Sequence, residues 1–178
     1  MSSAGEKERI LAAVAFTGIQ GPRPAFSPRR FRQPWRRSGR TVVAAVCYRI
    51  QQDGLPEFLL VRTRAGRWTF PKGAVDGDPT AAAAAAREAY EEAGVLGRIE
   101  SCAFTRYLHS KNDAGVHPVQ AYLCEVARLK TPDEAYRRPT WFSPEKAKRR
   151  LRECRQIAYA DELERVLDHA IRRLRKAK

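Results

Sequence analysis

The stretch 73–95, GAVDGDPTAAAAAAREAYEEAGV, limits what this chain can fold into more than any other. It reads as a glycine-rich loop running into one helix. Six consecutive alanines, residues 81–86, favour helix strongly. Asp78 has the chemistry of an N-cap, and Pro79 suits the first turn, where no donor is missed. Gly94 stands where a helix commonly stops. Glu88, Glu91 and Glu92 fall at i, i+3 and i+4, so they project from one face. Like charges at this spacing repel, each pair costing about a few tenths of a kcal/mol. Helix propensity therefore does not account for them. One reading is a solvated acidic face. The other is a site for a hard dication, since magnesium prefers carboxylate, phosphate and water oxygens.

The residues in front of the loop, Trp68-Thr69-Phe70-Pro71-Lys72-Gly73, lead from an apolar segment into a turn. Gly73, Arg87, Glu88, Ala89, Glu91, Glu92, Gly94 and Val95 then fall in register with a spaced pattern. That pattern is the Nudix box: Gly, five residues, Glu, seven residues, Arg-Glu-aliphatic-any-Glu-Glu-any-Gly-aliphatic. In these residues the chain resembles the Nudix hydrolase family. Pro79 departs from the pattern, which has a glutamate there, and Ala89 is small for an aliphatic position. In the family that glutamate supports the box by pairing with the arginine. Arg87 therefore needs another partner, Asp76 or Asp78.

The resemblance implies an α/β fold, a mixed sheet sandwiched between helices in an α/β/α arrangement. It implies hydrolysis of a phosphoanhydride in a nucleoside diphosphate derivative or related polyphosphate. Glu88, Glu92, Glu91 and the Gly73 carbonyl would hold Mg2+, with Mn2+ as a substitute. A dication there draws charge from the diphosphate oxygens. Glu91, Glu88 and Arg87 form the expected catalytic set, with Glu91 as general base or sharing the metal. The Phe-Pro-Lys-Gly approach, short body and basic C-terminal helix are similar to the branch acting on diphosphoinositol polyphosphates and dinucleoside polyphosphates. Two alternatives stand beside this reading. One is RNA 5′-pyrophosphate removal. The other is a non-catalytic binding or regulatory module, for which Pro79 argues and the intact glutamates argue against.

A chain of 178 residues is read as one domain plus tails. The net charge is +14, unevenly placed: +7 over residues 1–40, −1 over 41–127 and +8 over 128–178. A nearly neutral body with basic ends suits a small polyanionic substrate. Residues 1–39 read as a flexible basic extension rich in Pro and Arg, and 40–178 as the hydrolase domain. Phe26, Phe31 and Trp35 interleave with arginines, so nucleic-acid binding is a further reading of the extension, not the favoured one. Cys47, Cys102, Cys124 and Cys154 show no C-x-x-C spacing, and reduced thiols in a cytoplasmic enzyme are expected. No run approaches the ~20 apolar residues of a membrane span. Oligomeric state is left open.

Residues 41–50 read as a buried strand, Asp53-Gly54 as a hairpin turn and 57–64 as the returning strand. A short strand over 67–70 then enters the box. This order brings Arg62, Arg64, Arg67 and Lys72 towards the loop, and Lys72, Arg64 and Arg62 are expected substrate contacts. Residues 98–109 and 116–128 read as two more strands, joined by a polar turn that holds Lys111, another candidate contact. His109 and His117 are weaker candidates. Glu125 is either an extra metal ligand or an ordinary strand residue. Helices are expected over 144–151 and 158–175. In the second, Leu163, Val166, Leu167, Ala170, Ile171 and Leu174 form a stripe suited to covering the sheet.

Overall fold

The strand β1 (Val42–Ile50) is the axis of the molecule, and β-branched residues supply its first turn of core contacts. The computed structural model describes residues 41–110 and 116–176. Asp53 and Gly54 reverse the chain into β2 (Pro56–Arg62), which runs antiparallel to β1. Gly54 takes φ 79°, and the Leu55 N–H donates to Asp53 Oδ1 at 2.9 Å. The second strand ends two residues before the expected Arg64. Thr63 and Gly66 already close a turn there, through Gly66 N–H to Thr63 O at 2.8 Å.

Trp68 and Thr69 form β3, antiparallel on β2. Lys72–Ala74, read above as loop, forms a short strand, β4. It takes the first part of β1, with Val43 opposite Gly73. After the box helix come β5 (Val95–Ile99), β6 (Thr105–Ser110), β7 (Val116–Leu129) and β8 (Thr140–Phe142). The expected single strand over 98–109 is therefore two. The chain leaves the sheet at the exposed Ser101-Cys102 turn and re-enters against the same neighbour, β7. β1 and β7 pair in parallel, and the other pairings are antiparallel, giving an eight-stranded mixed sheet.

The two-residue period of β1 divides the core. Val43, Ala45 and Cys47 point to one face, with Leu59, Val61, Tyr122 and Cys124. The box helix α1 (Ala81–Ala93) covers them with Ala82, Ala85, Ala86, Ala89 and Ala93. Methyl-sized contacts let its backbone lie close to the strands, which explains the small residue at position 89. Ala44 and Val46 point to the other face, with Phe58, Leu60, Phe70, Tyr107 and Leu123. α2 (Pro144–Arg152) and α3 (Ile157–Lys176) cover that face. The expected stripe on α3 holds: Leu163, Val166, Leu167 and Ala170 are buried, and Ile171 and Leu174 pack beside them. Each large side chain so buried is worth about 1.5–3 kcal/mol.

The fold is thus α/β, a mixed sheet between helices. All four cysteines are free thiols, Cys47 and Cys124 side by side and buried. Among the described residues no helix is long and apolar enough to cross a membrane. The extension 1–39 and Lys111 lie outside the described residues.

Candidate active site

The cap of α1 is Thr80, not Asp78. Thr80 is extended (φ −145°), and its Oγ1 accepts the Ala83 N–H at 3.0 Å. Pro79 precedes the cap and lies outside the helix. Two residues compete for capping here, and Asp78 is drawn off by Arg87. Asp78, one of the two partners expected for that arginine, pairs with it, at 3.2 Å from Nη2 and 3.3 Å from Nε. At the other end Gly94 takes φ 67° and its N–H returns to Tyr90 O at 2.8 Å. A Cβ there would stand 1.9 Å from the Lys130 carbonyl oxygen. The chain after β7 is therefore strapped to the helix end. Lys130 N–H donates to Gly94 O at 2.8 Å and Glu134 N–H to Glu91 O at 3.0 Å.

This strap and β4 place the glutamates differently. Glu88 folds its carboxyl over Gly73, where a Cβ would lie 2.2 Å from it, so only glycine admits that approach. Glu92 is 3% exposed. It accepts the Lys72 backbone N–H at 3.2 Å, and Arg137 Nη2 stands 2.5 Å from its other oxygen. Burial pushes the Glu92 pKa up to about 7, against the opposing pull of Arg137 and Lys72. Burial raises Glu88 as well, against the pull of Arg87. Glu91 is the outer member, its side chain 34% exposed. Arg87 Nη1 reaches both Glu88 and Glu91 at 2.9 Å, and Nη2 also donates to Ala74 O at 3.0 Å. Asp78, partly buried, thus does for Arg87 what the box glutamate absent at Pro79 would do.

Lys72 lies beside this cluster; burial lowers its pKa while Glu92 raises it, and Arg137 and Arg155 are near enough to lower it further. Arg64 stands over the Tyr136 ring at 5.7 Å, on the strap. Arg62 is turned elsewhere: it stacks on Trp68 at 4.4 Å and donates to Gly66 O at 3.1 Å. Glu125 is not at the site. It pairs with Arg98 at 2.7 Å and sits opposite Tyr48, at the far end of β1 from Gly73. His109 bonds Tyr159 at 2.6 Å, and His117 lies opposite His109 in the sheet.

Sequence reasoning missed Arg137, Glu134, Tyr136 and Arg155. Arg137 also bonds Glu134 at 2.5 Å and lies near the Tyr136 ring. Arg155 donates to the Trp68 and Leu151 carbonyls. No spacing signal marks these residues, because only the strap and the α2–α3 junction bring them to the box.

The chemistry of the donors suits a hard dication: buried carboxylate oxygen beside a glycine, with no sulfur or imidazole. Among the described residues no group of three or more acidic, cysteine or histidine side chains is arranged to hold a metal ion.

Residues 39–161 match the family model described as NUDIX domain. Diphosphoinositol polyphosphate phosphohydrolase 2 of Rattus norvegicus is 31% identical over 148 residues, covering 79% of this chain and 78% of that protein. The C. elegans Ap4A hydrolase binary complex superposes with a TM-score of 0.63 at 22% identity, covering 78% of this chain and 99% of that one. The NUDIX domain of Shewanella oneidensis NrtR, complexed with ADP ribose, gives 0.59 at 20% identity, covering 84% and 94%.

Proposed function

This chain belongs to the Nudix hydrolase family, and from that premise we propose that it hydrolyses a phosphoanhydride bond of a small, highly charged polyphosphate with magnesium as cofactor. The observation that carries the reading is the pair of half-buried Glu88 and buried Glu92 beside Gly73, with Lys72, Arg137 and Arg155 nearby. Glu88, Glu92 and the Gly73 carbonyl would hold the metal, Glu91 would share it, and Mn2+ would substitute. Bound there, the dication supplies Lewis-acid charge for the diphosphate.

The chain's own residues do the rest. Arg87 fixes the Glu88 and Glu91 carboxylates in place. Glu91, the most exposed of the three and on the solvent side, is positioned to take a proton from water. Lys72 and Arg137 bind phosphate oxygens, and Arg64 and Arg155 extend that cationic rim. A rim of fixed cations around buried carboxylates concentrates polyanions.

Among substrates we favour a diphosphoinositol polyphosphate, because the rim is strongly cationic and the rat relative bears that activity in its name. A dinucleoside polyphosphate comes second. The free thiols fit a cytoplasmic setting. The test is a magnesium-containing panel of diphosphoinositol polyphosphate, Ap4A, ADP-ribose and 5′-triphosphorylated RNA, with products identified by mass. Magnesium-dependent release of phosphate, fastest from the first, is expected. Equal turnover by Glu92→Gln, or none from any compound, removes the reading.

A further inference from the structure

At the far end of the sheet lies a cavity of about 830 Å³, walled by β5, the turn after it, and the last turns of α3. It is separate from the carboxylates. Gly73 sits opposite Val43 in β1, whereas the cavity begins at Tyr48, about 17 Å further along the same strand.

One wall is apolar and partly aromatic. Leu123 is its buried floor, with Phe104, Leu174 and Tyr48 packed on the same face of the sheet, and Ile99 borders it from β5. The other wall is cationic. Arg98 and Arg173 are engaged by carboxylates, at 2.7 Å by Glu125 and 3.0 Å by Glu100. Arg172 and Lys176 have no acidic partner among the described residues. The lining therefore holds two cations in excess of its carboxylates. Cations in the last turn complement the helix dipole. That role needs no cavity, and it does not explain an apolar floor beneath them.

We propose that this cavity is a second ligand site, for a phosphorylated ring compound of nucleotide type. The ring lies over Leu123 between Phe104 and Tyr48, and the phosphate reaches Arg172 and Lys176. The volume is of the size usual for small-molecule sites, ~300–1,000 Å³. A bare polyphosphate would leave the apolar wall uncovered, and a neutral ring would leave the cations unanswered.

Cys102 lines the cavity and is exposed, and Cys154, also exposed, lies at the α2–α3 junction near the cationic rim of the candidate active site. The two thiols report the two sites separately. The experiment is maleimide alkylation of the full chain in EDTA, followed residue by residue by mass, with ADP or inorganic pyrophosphate added. ADP is expected to slow Cys102 saturably and leave Cys154 unchanged, and pyrophosphate to protect at least about tenfold less well. The exposed pair Arg172→Glu/Lys176→Glu should raise the half-protecting ADP concentration at least about tenfold, while Glu92→Gln leaves it unaltered. Ser101→Trp, which fills the cavity without changing charge, should abolish protection in a chain whose melting curve is unchanged. Failure of ADP to protect Cys102, protection undiminished in the charge-reversed chain, or protection of Cys154 in its place overturns the proposal.

Discussion

Arg137 lies against the buried carboxylate of Glu92, Nη2 to Oε1 at 2.5 Å, although the two residues come from separate elements. The charge that a dication would neutralise is thus already answered by a guanidinium. Arg137 is two-handed, held at its other side by Glu134. On the proposed function, a polyphosphate arriving at the rim would offer it a richer partner than Glu92 and would free that carboxylate for metal.

That relationship predicts a pH-dependent stability in metal-free buffer. Glu92 titrates near 4.5 when unfolded and at about 7 in the fold, burial being the main cause. The folded chain therefore holds the proton to higher pH than the unfolded chain. Its contribution is fully present below about 4.5 and is lost as pH rises through about 7, an amount on the order of 3 kcal/mol. Chemical denaturation from pH 4.5 to 8 in EDTA should show this fall, and Glu92→Gln should flatten it. Arg137→Ala should cost more at pH 8 than at pH 5, because only the ionised carboxylate misses its partner.

Two glycines separate catalysis from stability. Gly73→Ala places a methyl 2.2 Å from the Glu88 carboxyl, the far end of a flexible side chain. The chain should fold and melt near the parent temperature, with turnover down by about a hundredfold. Gly94→Ala meets the Lys130 carbonyl at 1.9 Å with φ at 67°. It should lose about 3 kcal/mol or more, because backbone must move. Thermal melts and initial rates on both variants check the contrast.

Asp78 should carry the duty left open by Pro79. Asp78→Asn removes the ionic partner of Arg87 and is expected to lower kcat by about tenfold and stability by about 1–2 kcal/mol. Adding Pro79→Glu to that variant should recover part of the loss, which would show that a carboxylate for Arg87 is what matters. Thr80→Ala should cost about 1 kcal/mol through the lost cap, with kcat little changed.

Glu92→Gln in magnesium should lower phosphate release by about two to three orders of magnitude while the chain keeps its melting temperature at pH 6. Titrating the metal back should not rescue it. Recovery at high magnesium would mean that Glu92 tunes affinity only.

The layering was legible where periodicity is strong. The apolar run of β1 announces a buried strand, the alanine run of α1 announces a helix, and the stripe of α3 announces the face it buries. The spacing put Glu88, Glu91 and Glu92 on one face, and the resemblance to the Nudix box singled them out. What one dimension hid was competition and return. Asp78 and Thr80 are both good caps, and only the reach of Arg87 decides between them. Arg137 and Arg155 arrive through a strap and a helix junction that carry no periodic signal. Glu125 reads in one dimension as an ordinary strand residue or an extra ligand, and register decides for the first by putting it at the opposite end of β1. Arg62 likewise points along β2 but spends its cation on Trp68.

The strap between Gly94 and Arg137 acts as a ruler. It is pinned to the helix at Gly94 and again at Glu91, so the interval that follows sets how far the guanidinium extends over the carboxylates. A single inserted or deleted residue between Lys130 and Arg137 would misalign that reach without touching the box itself. Homologous enzymes sharing this device should keep that interval constant even where its amino acids drift, and chains that vary its length should have surrendered the arginine.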